Sequence, residues 1–311
     1  MTKKAAAAKR PRLDAETKAG LAFTSPFIIG FLLFMIVPMM ISLYYSLCDY
    51  NILSAPVFVG LKNYIKLFTT DTRYWNSMLF TFKNTLVVVV FSNLIGFWLA
   101  YGLAKKVPFR NFMRAAFYLP RLIGGVILGF VWQFIFLNIF PFLGEKLGWS
   151  IFNLNWLGTP STAFWGLAIV QIWGMAGYMM IIYIAGLQAV PEDMLEAAKI
   201  DGASRWQTLW KVTIPNVMPS ITICTFLSLT NGFKLFDQNL ALTGGQPYTI
   251  LSDGSSIKET EMLALNILNT FYGQNANSRG TAQAKAVLFF ILVATIGLLQ
   301  LSANRKKEVQ Q

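Results

Sequence analysis

Between Ala163 and Ala189 the chain reads AFWGLAIVQIWGMAGYMMIIYIAGLQA, 27 residues without an Asp, Glu, Lys or Arg. A helix of about 20 apolar residues crosses the roughly 30 Å of hydrocarbon in a bilayer, so this stretch predicts a membrane span. It sits inside a longer uncharged run, Leu147–Pro191, whose first part, Gly148–Thr162, is rich in Asn, Gly, Trp and Pro and predicts an interfacial loop. Outward from it, uncharged runs recur at Leu21–Cys48, Asn84–Ala104, Leu122–Gly144, Val212–Phe233 and Ala286–Asn304. An open chain in hydrocarbon can pair its backbone only as a helix. The reading is therefore an all-α, polytopic membrane protein with six transmembrane helices. Spans are expected at about 21–48, 84–104, 116–138, 163–189, 212–233 and 286–304, with a basic tail over 1–20, a loop over 190–215 and a tail over 305–311.

Composition agrees. Of 311 residues, 55% are hydrophobic and 13% charged, against about 25% charged in soluble domains. That excludes an ordinary soluble domain and a disordered chain. No histidine is present, which excludes His metal sites, His proton shuttles and Ser-His-Asp triads. Two cysteines, Cys48 and Cys224, cannot make a disulfide framework or a zinc cluster. The first apolar run is too long for a signal-peptide core of about 7–15 residues and lacks a small-residue cleavage site, so it is expected to stay as an anchor.

Charge sets the orientation. Six basic residues precede the first span (Lys3, Lys4, Lys9, Arg10, Arg12, Lys18). Four lie in the second-to-third loop (Lys105, Lys106, Arg110, Arg114), three in the fourth-to-fifth loop (Lys199, Arg205, Lys211) and three in the C-terminal tail (Arg305, Lys306, Lys307). These sixteen face nine on the other side: Lys62, Lys66, Arg73, Lys83, Lys146, Lys234, Lys258, Arg279 and Lys285; Arg121 is left unassigned. The richer side is the cytoplasm, which places both termini inside. The net charge of +12 is thus topogenic, and no nucleic-acid partner is expected. The expected setting is a membrane, with the lipid bilayer as a partner.

Of the two long external segments, Asp49–Lys83 predicts an interfacial helix with Tyr74 and Trp75 in an aromatic belt. The other, Lys234–Lys285, holds a turn at Thr243-Gly244-Gly245-Gln246-Pro247. Lys234 and Asp237, at i and i+3 at the outer end of the fifth span, are expected to pair, with a gate as the alternative. The loop after the fourth span carries Pro191, Glu192 and Asp193 at a helix start. A short half-apolar helix with Leu195, Ala198 and Ile200 follows, then Gly202, then an amphipathic turn with Trp206, Leu209 and Trp210. Periodicity alone allows either a cytoplasmic knob or a hairpin lying on lipid.

That loop resembles a known motif. Glu196-Ala197-Ala198, then Asp201-Gly202-Ala203, then Ile214-Pro215 and Pro219 is similar to the EAA loop of bacterial ABC-importer permeases of type I. Other segments resemble the carbohydrate-uptake, MalF-like branch: Pro26-Phe27 and Pro38, Phe58-Val59-Gly60-Leu61-Lys62-Asn63-Tyr64, Asn84-Thr85, and Leu242-Thr243-Gly244-Gly245-Gln246-Pro247, where Gln246 departs from the usual small residue. The resemblance spans about residues 20–305. It implies a multi-pass protein of a bacterial plasma (inner) membrane, a heterodimer with a second, related permease, two cytoplasmic ATPase subunits, and an extracytoplasmic solute-binding protein that delivers a sugar or oligosaccharide. A contact to that binding protein is the other alternative for Lys234 and Asp237. The chain has no G-x-x-x-x-G-K-[ST] loop, so it is expected to be no enzyme and to carry no cofactor. ATP and Mg would sit on the partner ATPase.

Under this resemblance the cytoplasmic coupling helix is carried by Glu196, Ala197, Ala198, Asp201, Gly202 and Ala203. Small Ala side chains allow close approach, Gly202 permits the bend, and Glu196 offers a carboxylate to cap the second helix or to meet the ATPase. The sugar path needs uncharged polar and aromatic groups. Gln171, Gly174 and Tyr178 share one face of the fourth span. Ser228 and Asn231 share a face of the fifth, with Gly232 beside them. Gln133 and Trp132 in the third span are further candidates. Helix–helix hydrogen bonding is the rival role for each. An ion-coupled secondary transporter is the main alternative function, against which stands the lack of an intramembrane carboxylate in these runs. No catalytic or metal-binding pattern is present. The orientation is checked by labelling intact cells that carry Ser204→Cys with an impermeant thiol reagent. The new cysteine is expected to stay unlabelled until the membrane is opened.

Overall fold

Proline placement explains the most regular feature of the helices. In the computed structural model, which describes residues 15–51, 54–105, 107–252, 254–273 and 279–308, three spans contain one wide π turn each: Leu32–Ile36, Ile135–Ile139 and Leu209–Thr213. Each ends two residues before a proline (Pro38, Pro141, Pro215). Proline has no N–H to donate and its ring crowds the carbonyl four residues back. One extra residue in the turn relieves that crowding without ending the helix.

Six helices are long and apolar enough to cross a membrane: Gly20–Ser46, Thr72–Ala104, Gly125–Leu147, Pro160–Gln188, Arg205–Phe233 and Arg279–Gln300. Strand structure among the described residues is two antiparallel ribbons, Cys48–Asp49 with Val57–Phe58 and Tyr248–Ile250 with Ser256–Lys258. The helices outrun the uncharged stretches. The second begins at Thr72 because the Asp71 carboxylate accepts the Tyr74 N–H at 2.9 Å, an N-cap. Its polar first turns stand outside the hydrocarbon, where Arg73 and Asn76 hold the second ribbon through Ser256 and Lys258 carbonyls.

The third span corrects the expected 116–138. Arg110–Leu122 is a separate amphipathic helix, and the chain breaks in extended geometry at Ile123 and Gly124 before Gly125–Leu147 begins. The short helix packs its Phe117 carbonyl so closely on Gly177 that any β-carbon there would collide. The fourth helix is central: 67% of its most apolar window is buried, against 28% or less for the other five. The second helix meets it and the fifth through a stripe of small and polar residues, Ser77, Thr81, Asn84, Thr85, Val88, Ser92, Gly96 and Ala100, spaced to one face.

The external segments differ from expectation in two respects. Only Lys62–Thr69 forms a separate helix before the second span. Trp75 is half exposed against Phe68, but Tyr74 is buried beneath Lys285 and not in a surface belt. Lys285 is itself 2% exposed. Its ammonium meets Asp71 at 2.8 Å and donates to Asn266 at 2.8 Å and Thr270 at 2.9 Å. Asn266 in turn donates to the buried Glu261 at 2.6 Å. This network ties the second helix, the sixth helix and the helix Leu263–Tyr272 together.

Removing one partner of a buried ion pair typically costs about 3–5 kcal/mol. Lys285→Met is therefore expected to lower the unfolding midpoint of the purified protein by roughly 5–10 °C, read by thermal melting in detergent. Asp71→Asn combined with Lys285→Met is expected to cost less than the two single changes added together.

Candidate functional site

The loop after the fourth span folds into two short helices because stop and start signals sit on adjacent residues. Glu192–Ile200 begins after Pro191 with Glu192 and Asp193 at the positive end of its dipole. It stops at Gly202, whose φ is +75°. There the Gly202 N–H bonds the Lys199 carbonyl at 3.1 Å and the Ala203 N–H bonds the Ala198 carbonyl at 2.9 Å, the paired bonds of a Schellman stop. Ser204 then starts Arg205–Thr208. Its hydroxyl accepts the Gln207 N–H at 3.2 Å, and Gln207 Oε1 accepts the Ser204 N–H at 2.8 Å, a reciprocal capping box.

These caps leave Glu196 no part in holding the second helix; it is exposed, as are Ala197, Asp201 and Gly202, with Ala203 half-buried. Ala198 is buried, and Leu195 packs on the core around Met179, Tyr183 and Val217. A β-carbon on Gly202 would meet nothing within 4 Å, so the backbone angle, not space, demands glycine. Ile200 is 85% exposed at the hairpin's tip. Trp206 stacks on Trp98 of the second span with ring centres 6.4 Å apart, and Trp210 lies 5.7 Å from Trp206.

A cavity of about 440 Å³ opens between the end of Arg110–Leu122, the fourth span, the end of the fifth span and a short helix, Asp237–Leu242. Gln171, Gly174 and Asn231 all line it. Gln171 Oε1 accepts from Asn84 at 2.7 Å, which leaves its amide hydrogens for the cavity. Asn231 donates to the Leu227 carbonyl at 2.7 Å, which leaves its oxygen as an acceptor. Tyr178 stands behind the wall, with the Arg121 guanidinium 5.0 Å from its ring centre, and Arg121 lines the cavity.

The other four candidates join helices. Ser228 is fully buried; its hydroxyl accepts from Asn93 at 2.9 Å and donates to the Cys224 carbonyl at 2.8 Å, and Asn93 accepts from the Tyr183 hydroxyl at 2.8 Å. Gly232 lies against Thr85, where a β-carbon would come within 2.7 Å of the threonine methyl. Gln133 donates to the Leu242 carbonyl at 3.0 Å. Trp132 packs edge-on against Trp173.

The cavity also holds groups that the sequence did not single out for it: Arg121, Lys234, Asp237 and Gln238. The expected Lys234–Asp237 pair is absent. Lys234 ends the fifth helix, and Phe236 at φ −132° turns the chain before Asp237 starts a new one. The i, i+3 geometry of a continuous helix therefore does not exist there. The usable signal was Pro120 and Gly124-Gly125 flanking a lone arginine, a pattern of interrupted membrane helices whose exposed ends line cavities.

A family model described as "Binding-protein-dependent transport system inner membrane component" matches residues 92–308. Over 290 residues the chain is 43% identical to "Probable starch degradation products transport system permease protein AmyD" of Thermoanaerobacterium thermosulfurigenes, covering 93% of this chain and 94% of the relative. It is 30% identical over 294 residues to "Trehalose/maltose transport system permease protein MalF" of Thermococcus litoralis, covering 93% and 95%. Among solved structures, a chain of a bacterial ABC transporter involved in the import of alginate superposes with a TM-score of 0.77 at 21% identity, covering 94% of this chain and 96% of that one. At that identity the match speaks for the fold.

Left-handed backbone costs a non-glycine residue about 1–2 kcal/mol. Gly202→Ala and Gly202→Leu are therefore expected to speed amide exchange at Ala203 alike, by roughly 5–30-fold, because neither side chain meets an obstacle. A much larger effect of leucine would reveal a clash that this geometry does not contain.

Proposed function

Because the chain belongs to the family of inner-membrane components of binding-protein-dependent transport systems, we propose that it forms half of the membrane pathway of an ATP-driven sugar or oligosaccharide importer. It is a transport subunit; ATP hydrolysis belongs to a separate chain. The other half is a second, related permease, and two ATPase subunits dock on the cytoplasmic side. A solute-binding protein outside delivers the substrate. Both termini and the hairpin of Glu196 face the cytoplasm.

One observation carries this reading. The hairpin's second arm, Arg205–Thr208, is the start of the unbroken helix Arg205–Phe233, and the far end of that helix places Asn231 at the cavity. The exposed row Glu196, Ala197, Ile200 and Asp201 is the face offered to a cleft in the ATPase. Small side chains at Ala197 and Ala203 permit close approach, and Glu196 is free to meet a basic partner. When the ATPase closes, the hairpin moves with it and the cavity changes its open side. Gln171 and Asn231 contact the sugar by one donor and one acceptor.

Two measurements test this. Each single loss of a hydrogen bond is worth about 0.5–1.5 kcal/mol. Gln171→Ala and Asn231→Ala are therefore expected to lower uptake of labelled oligosaccharide by roughly 2–10-fold with the complex still assembled, while Ser228→Ala leaves uptake affinity unchanged. Pull-down of an ATPase subunit with this chain is expected to weaken on Glu196→Lys. Wild-type uptake in both cavity variants would remove the path proposed here. Uptake in proteoliposomes that follows an imposed ion gradient without ATP would favour the secondary-transporter alternative.

A further inference from the structure

The cavity lining mixes both signs of charge without pairing them. Arg121 and Lys234 are donor-only cations, and Gln171 presents amide hydrogens. Asp237 is an acceptor-only carboxylate, Asn231 presents an oxygen, and Gln238 Oε1 is buried without a hydrogen-bond partner. No ion pair joins Asp237 to Arg121 or to Lys234, all of them described residues whose charged atoms lie further apart than 4 Å. Two glycines set this wall. A β-carbon on Gly125 would lie 2.8 Å from that of Asp237, and one on Gly129 would lie 2.6 Å from that of Ala241 and 3.3 Å from the Gln238 carbonyl oxygen. The short helix Asp237–Leu242 is thereby held close against the third span, with Asp237 and Gln238 at the cavity.

Such a wall selects by chemistry. An anionic ligand satisfies the cations but opposes Asp237. A cationic ligand fails against Arg121 and Lys234. A hydroxyl donates to a carboxylate or amide oxygen and accepts from a guanidinium, so a ligand rich in hydroxyls can meet the cations, Asp237 and the Asn231 oxygen at once. Hydrogen bonds to ionised partners are about twice as strong as neutral ones. The Arg121 charge is partly met already by the face of the Tyr178 ring, which fixes its fork in place and lessens its pull on anions.

We propose that Arg121 and Asp237 are specificity-determining residues of this cavity, and that they select uncharged, hydroxyl-rich saccharides over those bearing carboxylate, phosphate or sulfate. The proposal rests on the sugar-permease reading and deepens it. Because a binding protein imposes its own selection, the test uses the purified permease–ATPase complex without it. Equilibrium dialysis compares maltotriose with the same trisaccharide oxidised to carboxylates at C6.

The wild-type complex is expected to bind maltotriose at least about tenfold more tightly than the oxidised form. The near-isosteric Asp237→Asn is expected to shrink that ratio severalfold or more. Arg121→Gln is expected to weaken maltotriose about tenfold, while Ser228→Ala, away from the cavity, keeps wild-type values. Equal affinities of the wild type for both sugars would overturn the proposal. So would wild-type ratios in both cavity variants, or no detectable binding of either sugar by a complex that still imports maltotriose with its binding protein. Failure of the complete wild-type system to import any saccharide would instead remove the sugar-permease reading itself.

Discussion

A hydrogen-bonding group that enters hydrocarbon must find its partner inside the protein, and this constraint decides where the chain puts its polar residues. Asn93, Tyr183 and Ser228 close a chain of hydrogen bonds among the second, fourth and fifth helices. Asn239 spends its amide on the Thr260 carbonyl at 2.7 Å and the Thr243 hydroxyl at 3.0 Å, and its oxygen takes the Met262 N–H at 3.0 Å. Other groups stay open, and the cavity beside Gln171 and Asn231 gathers several of them: the Gln171 amide hydrogens, the Asn231 oxygen, Arg121, Lys234 and Asp237. Buried atoms without a partner also occur in the second helix, at Asn84 Oδ1, Thr85 Oγ1 and Ser92 Oγ, so what distinguishes the cavity is the gathering of charged and amide groups around one open space.

The same constraint sorts what was legible in the sequence from what was not. The six helices could be read because charge is excluded from hydrocarbon, and the excluded stretches are long. Their ends could not, because a helix continues past the bilayer wherever a cap such as Asp71 supports it. The break at Ile123-Gly124 was missed for a related reason. Leu122–Gly144 is uncharged throughout, and hydropathy does not distinguish one continuous helix from two meeting at an angle. In the cavity, a helical face identifies which residues point the same way but not what they meet. Gln171 and Ser228 are both polar, both buried and both on the expected faces. Asn93 had taken Ser228 for helix packing, and only the three-dimensional partner list separates the two.

The hairpin was more legible because its chemistry is local. Asp201-Gly202-Ala203-Ser204 is a helix stop followed at once by a helix start, and each bond lies within five residues of its partner. Neither distant packing nor the membrane is needed to form it. The departure from expectation is instructive: Gln207, not Glu196, closes the capping box. Among the described residues the Glu196 carboxylate caps nothing and pairs with nothing, on an exposed face beside Ala197, which under the proposed reading leaves it for the ATPase.

The link between hairpin and cavity is the remaining mechanical step. A 29-residue helix, Arg205–Phe233, is about 43 Å long at 1.5 Å per residue, enough to reach from the hairpin through most of the bilayer. The Trp206–Trp98 stack and the buried Leu209 fix its inner end to the second helix, and Thr85 against Gly232 fixes its outer end to the same helix. Between them lie the Leu209–Thr213 π turn and Pro215 and Pro219, where backbone hydrogen bonds are missing and bending is least costly. Under the proposed reading, motion imposed on Glu192–Ile200 changes the angle of the helix just above the hairpin. The stretch from Ser220 to Phe233, which carries Asn231, is fastened to the second helix by Thr85 against Gly232 and by the Asn93–Ser228 bond. The Asn84–Gln171 bond fastens the second helix to the fourth in turn, so Gln171 and Asn231 keep their places relative to each other and the cavity wall is carried as one body.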